Sequence, residues 1–319
     1  MSQSPRYSVI VPVYNRPQEV DELLASLARQ TYKNFEVVLV EDGSSITSEK
    51  IFEKYVTTLS IQYFFKPNSG PGPSRNFGFE KAKGDYFVVF DSDCILPDHY
   101  FEVVEKALTE FSWDAWGGPD RGHENFTTLQ QAMGYTMSSI LTTGGIRGGK
   151  KRVGTFQPRS FNMGISRSVF EKTSGFKFDR FAEDIEFSIR MTKLGFNVGL
   201  IPEAYVFHKR RTSLSQFYNQ VFNFGRGRIL VGKAHNGEVK LTHWFPAFFS
   251  LGLFSIIPLS IIDIRLSAFL LSLYIAYLTA IFIDALRVTA SISVALLSIP
   301  SALVQMLGYG IGFLKEKAK

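Results

Sequence analysis

Residues 244–314 carry only four charged side chains, Asp263, Arg265, Asp284 and Arg287, and this stretch divides the 319-residue chain into two unlike parts. Residues 244–262 and 266–283 are uncharged, and each is close to the ~20 residues that a helix needs to cross the hydrocarbon core of a bilayer. Residues 288–314 are also uncharged but are interrupted by Pro300, Gly308, Gly310 and Gly312, so this third segment can span, break in two, or lie in the interface. Just upstream, no acidic residue occurs between Glu203 and Glu238, while Lys209, Arg210, Arg211, Arg226, Arg228 and Lys233 are basic. Basic flanks stay on the cytoplasmic side of a membrane protein. Three crossings would leave Lys315, Lys317 and Lys319 on the opposite side; two crossings and a non-crossing third segment return them, and that arrangement is expected. Residues 213–231 read as an amphipathic helix with Phe217, Val221 and Phe224 on one side. Such a helix suits an anionic membrane surface, the alternative being an ordinary packed helix with a solvated basic face.

The part before it is organised differently. Residues 7–14 (YSVIVPVY) are β-rich and largely apolar, a central-strand pattern tempered by Pro12, which cannot donate a ladder hydrogen bond. Asn15-Arg16-Pro17 opens a helix whose Val20, Leu23, Leu24 and Leu27 share one face. A strand over 35–40 ends at Glu41-Asp42-Gly43-Ser44-Ser45; a helix over about 48–55, a strand over 61–65, a Gly/Pro loop over 68–73 and a helix over 74–82 follow. Strands alternating with helices predict a mostly parallel, doubly wound sheet. Residues 113–118 suggest another strand, 144–154 (GGIRGGKKRVG) a mobile basic loop, and 181–194 a helix with Glu183-Asp184 in its first turn, where the helix dipole favours acids. The single cysteine, Cys94, precludes an intramolecular disulfide and suits a reducing compartment. The N-terminus shows no signal-peptide pattern, so the α/β part is expected on the cytoplasmic side.

Residues 87–94 (FVVFDSDC) are the chemical focus of this part. A short, continuously apolar run reads as a strand buried on both faces. Asp91 and Asp93 then fall at its carboxyl end, the edge at which open α/β sheets bind ligands. Two carboxylates at that spacing suit a divalent cation and a diphosphate, since hard cations take oxygen ligands. A solvated acidic turn is the bland alternative. Asp42, at a strand end beside a glycine turn, is suited to accept a hydrogen bond from a base ring, and Arg75 to supply donors to base or phosphate.

Residues 8–17 (SVIVPVYNRP), Glu41-Asp42-Gly43-Ser44, Ser74-Arg75-Asn76, Asp91-Ser92-Asp93 and Glu183-Asp184, in this order, resemble glycosyltransferase family 2, the inverting enzymes with a GT-A fold. The resemblance covers roughly residues 7–233, and the apolar tail resembles the C-terminal anchors of some bacterial members. It implies an α/β, Rossmann-like GT-A catalytic domain with a mostly parallel central sheet over 1–212, a basic amphipathic juxtamembrane helix over 213–240 and an α-helical membrane region over 241–319. It further implies a nucleoside site formed by the turn carrying Pro12, Tyr14 and Asn15 together with Asp42 and Arg75. Asp91 would sit near the ribose or bind through water, and Asp93 would be the ligand of Mn²⁺ or Mg²⁺. His208, at an expected strand end, is a further metal ligand, a phosphate donor, or a satisfied surface histidine. Lys209, Arg210 and Arg211 either close over the diphosphate or face lipid headgroups. Inversion by direct displacement needs one carboxylate within reach of the acceptor hydroxyl. Asp184 is assigned that role and Glu183 an orienting one, with the two interchangeable. Gly117, Gly118, Asn162, Met163 and Gly164 are expected to line the donor-sugar pocket, although structural turns account equally well for the glycines.

The expected reaction is transfer of a single sugar from a nucleotide-diphospho-sugar, a UDP-sugar first among them, to a saccharide or lipid-linked acceptor in cell-surface polysaccharide or glycolipid assembly. The expected location is the cytoplasmic membrane, with lipid and no nucleic acid as partner. A processive polysaccharide synthase would carry Gln-x-x-Arg-Trp; here Gln220 is followed by Val-Phe-Asn-Phe-Gly-Arg. A nucleotidyltransferase would open with a glycine-rich phosphate loop, which Tyr14-Asn15-Arg16-Pro17 is not. A non-catalytic sugar-nucleotide binder would have no need of both Asp93 and Asp184.

Overall fold

The computed structural model describes residues 4–122, 126–143, 156–209 and 211–319. They form two compact units, the first from residues 4–122 and 156–209, the second from 126–143 and 211–319. In the first unit β1 (Tyr7–Val13), α1 (Pro17–Ala28), β2 (Phe35–Asp42), α2 (Glu49–Tyr55), β3 (Ile61–Lys66), α3 (Pro71–Lys81) and β4 (Tyr86–Phe90) alternate in the expected way. A short β5 (Cys94–Ile95), α4 (Tyr100–Phe111), β6 (Ala115–Gly117) and β7 (Asp120–Arg121) follow. The chain contributes α5 (Thr128–Ser138) and α6 (Ile140–Thr143) to the second unit, then returns with β8 (Asn162–Ser166), α7 (Arg167–Thr173), α8 (Glu183–Lys193), β9 (Val198–Leu200) and β10 (Val206–His208).

The main sheet runs β3-β2-β1-β4-β8-β6-β9 and is parallel except for β8, which pairs antiparallel with both β4 and β6. The period of two along each strand feeds two cores. Val9, Val11, Leu39, Val88 and Phe90 pack with α1 and α4 residues on one face. Ile10, Val38, Val40, Phe87 and Val89 pack with Phe79, Met163, Phe187 and Met191 on the other. Pro12 is tolerated in this central strand because β4 pairs with β1 only as far as Ile10, leaving the last residues of β1 flanked by β2 alone. Helix α3 begins at Pro71, three residues before the helix expected from Ser74, because Pro71 sits at the helix start, where the missing N–H costs nothing.

A second, three-stranded sheet, β5-β10-β7, bears on function more than its size suggests. Its antiparallel register sets His208 opposite Cys94, and so carries a residue from late in the chain to the end of the Asp91-Ser92-Asp93 turn.

The second unit contains α9 (Leu214–Ala234), α10 (Phe245–Ile262), α11 (Ile264–Thr289) and α12 (Ile292–Lys317), of which α10, α11 and α12 are long and apolar enough to cross a membrane. Two sequence expectations change here. The catalytic domain written as 1–212 loses α5 and α6: Tyr135 of α5 donates to Asp284 of α11 at 2.5 Å and packs with Ile281 and Ala302. The apolar side of α9 is covered by protein: Phe217 and Val221 pack on Met133, and Ile229 on Ala247 and Phe313. Pro300 and the later glycines do not break α12. They let helices meet closely instead: a Cβ on Gly312 would lie 2.1 Å from the Phe222 carbonyl, and one on Gly225 2.1 Å from that of Tyr309.

Candidate active site

The site lies at the carboxyl ends of β1, β2 and β4. After β1, Asn15 adopts a left-handed conformation (φ 55°) and its Oδ1 accepts from the amides of Ser45 (2.8 Å) and Ile46 (3.0 Å). Its own amide donates to Ser44 Oγ at 2.7 Å, so the loops after β1 and β2 are joined by one side chain. Tyr14 is left exposed beside them. Buried Asp42 accepts from the amides of Ser69 and Gly70, both at 2.9 Å, and from Lys66 Nζ at 2.5 Å. Burial pushes its carboxyl up, but Lys66 and the two amides outweigh that and hold it below the usual carboxylate range. The carboxylate thereby shapes the turn leading into α3.

Arg75, with 3 % of its side chain exposed, is the hinge between two acids. Its Nη2 donates to Asp91 Oδ1 and its Nη1 to Glu183 Oε1, each at 2.8 Å, with the guanidinium 5.3 Å from the centre of the Phe176 ring. Among the described residues its Nε has no hydrogen-bond partner. Asp91 keeps a third of its side chain exposed (33 %), whereas Glu183 is buried. Burial pushes the Glu183 carboxyl up to about 7; the Arg75 charge opposes this and the neighbouring Asp184 reinforces it. Asp184 is more open, at 17 % exposed; its Oδ1 accepts from the Ile185 amide and its Oδ2 lies 3.4 Å from Arg159. The helix start that presents this pair is preceded by Ala182 at φ 57°, a left-handed conformation unusual for a residue with a Cβ.

Asp93 sits between Arg16 and His208. Arg16 Nη1 is 2.7 Å from its Oδ2 and His208 Nε2 3.0 Å from its Oδ1. Burial opposes a charge on His208, but Asp93 outweighs it and holds the imidazole above its ordinary range; the ring stacks on Phe161 at 5.0 Å. Ligand atoms of Asp93, Cys94 and His208 lie within 4.8 Å of one another. Burial keeps the Cys94 thiol protonated, and it donates to the Phe161 carbonyl at 3.4 Å, which leaves carboxylate and imidazole as the donors. That pair fits a divalent cation, and its nitrogen suits Mn²⁺ better than Mg²⁺.

The remaining expected residues are placed otherwise. Asn162 is fully buried: it donates to the Ala204 carbonyl at 2.8 Å and accepts from Tyr100 at 2.6 Å. Met163 lies in the core, and Gly164 lies against the Trp116 ring. Gly118 abuts the Ala204 carbonyl and Gly117 abuts Pro158. These five residues pack in and around β6 and β8. Arg210 and the 144–154 loop lie outside the described residues, and Arg211 is part of the second unit. Arg16, Lys66 and Arg159 are not among the residues the sequence marks for the site. No local pattern marks Lys66 or Arg159; for Arg16 the one signal is its place three residues beyond the end of β1.

Residues 8–173 match the family model described as glycosyl transferase family 2, and residues 154–303 that of glycosyl transferase family group 2. Glycosyltransferase GlyA of Streptococcus pneumoniae is 36 % identical over 137 residues, covering 43 % of this chain and 19 % of that protein. An uncharacterized glycosyltransferase of Haemophilus influenzae is 37 % identical over 106 residues, covering 33 % of this chain and 41 % of that protein. The chain thus matches less than half the length of these curated relatives. The mannosyltransferase PcManGT of Pyrobaculum calidifontis, solved with GDP-Man and Mn²⁺, superposes with a TM-score of 0.63 at 16 % identity, over 95 % of this chain and 88 % of that one. Residues 1–349 of TarS from S. aureus, solved with UDP-GlcNAc, give 0.51 at 21 % identity, over 98 % of this chain and 92 % of that one. At these identities the structures attest a shared fold.

Proposed function

Since the chain belongs to glycosyl transferase family 2, we propose that it transfers a single sugar, with inversion, from a nucleotide-diphospho-sugar to a hydroxyl of a saccharide or lipid-linked acceptor at the cytoplasmic face of the membrane. The observation that carries this reading is the Arg75 bridge, which ties Asp91 to Glu183 and so holds the diphosphate-side turn beside the Glu183-Asp184 pair. The nucleotides in the PcManGT and TarS structures support a nucleotide-sugar donor, and three long apolar helices support a membrane setting.

The division of labour follows from exposure and charge. Asp184 is the general base: it is the more accessible acid of the pair, while Glu183, with its raised pKa and its tie to Arg75, orients the helix start. As the acceptor oxygen bonds to the anomeric carbon, its proton passes to Asp184, and the bond from that carbon to the diphosphate oxygen breaks with its electron pair going to the nucleotide. Asp91 accepts from the nucleotide on its exposed side, and the loop of Pro12, Tyr14, Asn15 and Asp42 shapes the nucleoside pocket. Asp93 and His208 would hold a divalent cation, which when bound would supply Lewis-acid stabilisation to the diphosphate. Arg16, freed from Asp93, adds a donor to the same charge.

The test assays membrane-embedded protein with Mn²⁺ or Mg²⁺ against UDP- and GDP-sugars. Asp184→Asn should lower transfer by roughly 10²–10⁴-fold while nucleotide binding changes little. Unchanged transfer removes Asp184 from the base role, and full activity in excess EDTA removes the cation.

A further inference from the structure

From the packing of the second unit we infer that only α10 and α11 cross the bilayer, as a hairpin, and that α12 lies along the membrane surface on the side of α9, returning the C-terminus to the side from which α10 enters. Helices α10 and α11 are joined through the single residue Asp263 and run antiparallel: Ser267 Oγ donates to the Ile256 carbonyl (2.9 Å) and Tyr274 Oη to that of Phe249 (2.6 Å). Extending this register sets Ile281 level with Thr242, so the last turns of α11 project beyond the start of α10.

Were α12 a third crossing, its C-terminal half would descend towards Asp263. It does not. Ala295 and Ala302 cluster with Ile281 and Ala285, at the projecting end of α11. Met306 packs with Phe249 and Tyr274, a Cβ on Gly310 would lie 2.2 Å from the Pro246 carbonyl, and Phe313 meets Trp244 edge-on at 4.9 Å. From Ala295 to Phe313 the helix advances about 27 Å along its axis. Over its second half its α10 partners stay within the first two turns of α10, so α12 traverses one end of the hairpin. Its terminus is pinned there: Glu316 accepts from Arg226 of α9 at 2.9 Å, and Lys233 of α9 donates to the Glu316 carbonyl at 3.4 Å.

Exposure divides the helices in the same way. In α12, 44 % of the apolar window is buried within the protein, against 17 % and 11 % in the other two. Phe248, Phe254, Ile257, Ile261, Phe269 and Leu273 of the hairpin are largely exposed, whereas α12 exposes only Ile292 and Leu296 among its large apolar side chains. The occupant this hairpin fits is bilayer hydrocarbon: from the level of α12, at residues 246–250, to Asp263 α10 rises about 20–26 Å, against a hydrocarbon core ~30 Å thick. Asp263 and Arg265 at its tip then reach the far headgroups, and the basic side chains of α9 and the tail share the near side.

The test is location rather than turnover, so it stands independently of the proposed reaction. Single cysteines are introduced as Glu171→Cys on the first unit, Ile264→Cys at the tip and Lys319→Cys at the terminus, with Ala318→Cys as a second terminal position. Each is labelled with a membrane-impermeant maleimide in sealed right-side-out and inverted vesicles, against the unaltered chain, whose Cys94 is buried. The expected result is that positions 171, 318 and 319 react in one vesicle orientation and 264 in the other. Labelling of the terminus together with position 264 makes α12 a third crossing and overturns the inference. Labelling of 264 together with 171 makes the hairpin re-entrant and overturns it equally.

Discussion

Replacing Arg75 by Met isolates the energetics of the site. Arg75 is the buried counter-ion of two acids that differ in their access to water, Asp91 being a third exposed and Glu183 buried. Freed from Arg75, Asp91 rehydrates, and the loss of a partly exposed pair costs about 0–1 kcal/mol. Glu183 stays buried and escapes only by taking up a proton. Breaking a buried pair by removing one partner costs about 3–5 kcal/mol, because a charge is left uncompensated. The Glu183 carboxyl is already pushed up to about 7 with Arg75 opposing the rise; without Arg75 it rises further, and at pH 8 the group keeps its proton. Keeping that proton at pH 8, about one unit above 7, costs about 1.4 kcal/mol, so with the Asp91 pair the defect of Arg75→Met should be about 2 kcal/mol at pH 8, a fall of roughly 4–8 °C in melting temperature. It should shrink towards pH 5.5, where Glu183 is protonated. In the Glu183→Gln background the same substitution should cost roughly 1.4 kcal/mol less at pH 8, since no buried acid remains to take up a proton. Thermal unfolding of the two single variants and the double variant at both pH values completes the cycle. Equal costs at pH 5.5 and 8, with additive single substitutions, would refute the argument that Arg75 acts through Glu183.

Two further outcomes follow from the same geometry. Because the folded state holds the Glu183 proton more tightly than the unfolded chain does (about 7 against 4.5), Glu183 makes stability fall as pH rises from about 4.5 to 7 and level off above. The drop is at most about 3 kcal/mol, and denaturant titrations across that window should lose it in Glu183→Gln. At the crossing of α9 and α12, Gly312→Leu must displace the Phe222 carbonyl, which lies 2.1 Å from the new Cβ. A loss of about 1–3 kcal/mol is expected, read as an earlier melting transition, and an unchanged melting temperature would show that the helices do not meet there.

Much of this architecture is written in local patterns. The largely apolar runs of 7–13, 35–42 and 86–90 are strands because they are buried on both faces, and the acids at the ends of the second and third mark the ligand edge, since an apolar run must stop where the sheet meets water. The apolar face of α1 and the length of the terminal helices were legible for the same reason: hydrophobic period is a local property. What tertiary structure alone decided is which distant partner each group found. The antiparallel insertion of β8 turns Asn162 into a buried strut and removes its side chain from ligand reach. Arg16 closes on Asp93, Lys66 on Asp42 and Arg75 on Glu183, pairings across 77, 24 and 108 residues that no spacing rule anticipates. Glycines that read as breaks in 288–314 are contact points, because a missing Cβ appears the same in a sequence whether it frees a backbone or admits a neighbouring helix. A sequence records which residues must leave water; the fold decides what meets them there, because burying a polar group is tolerable only beside a partner that the rest of the chain brings.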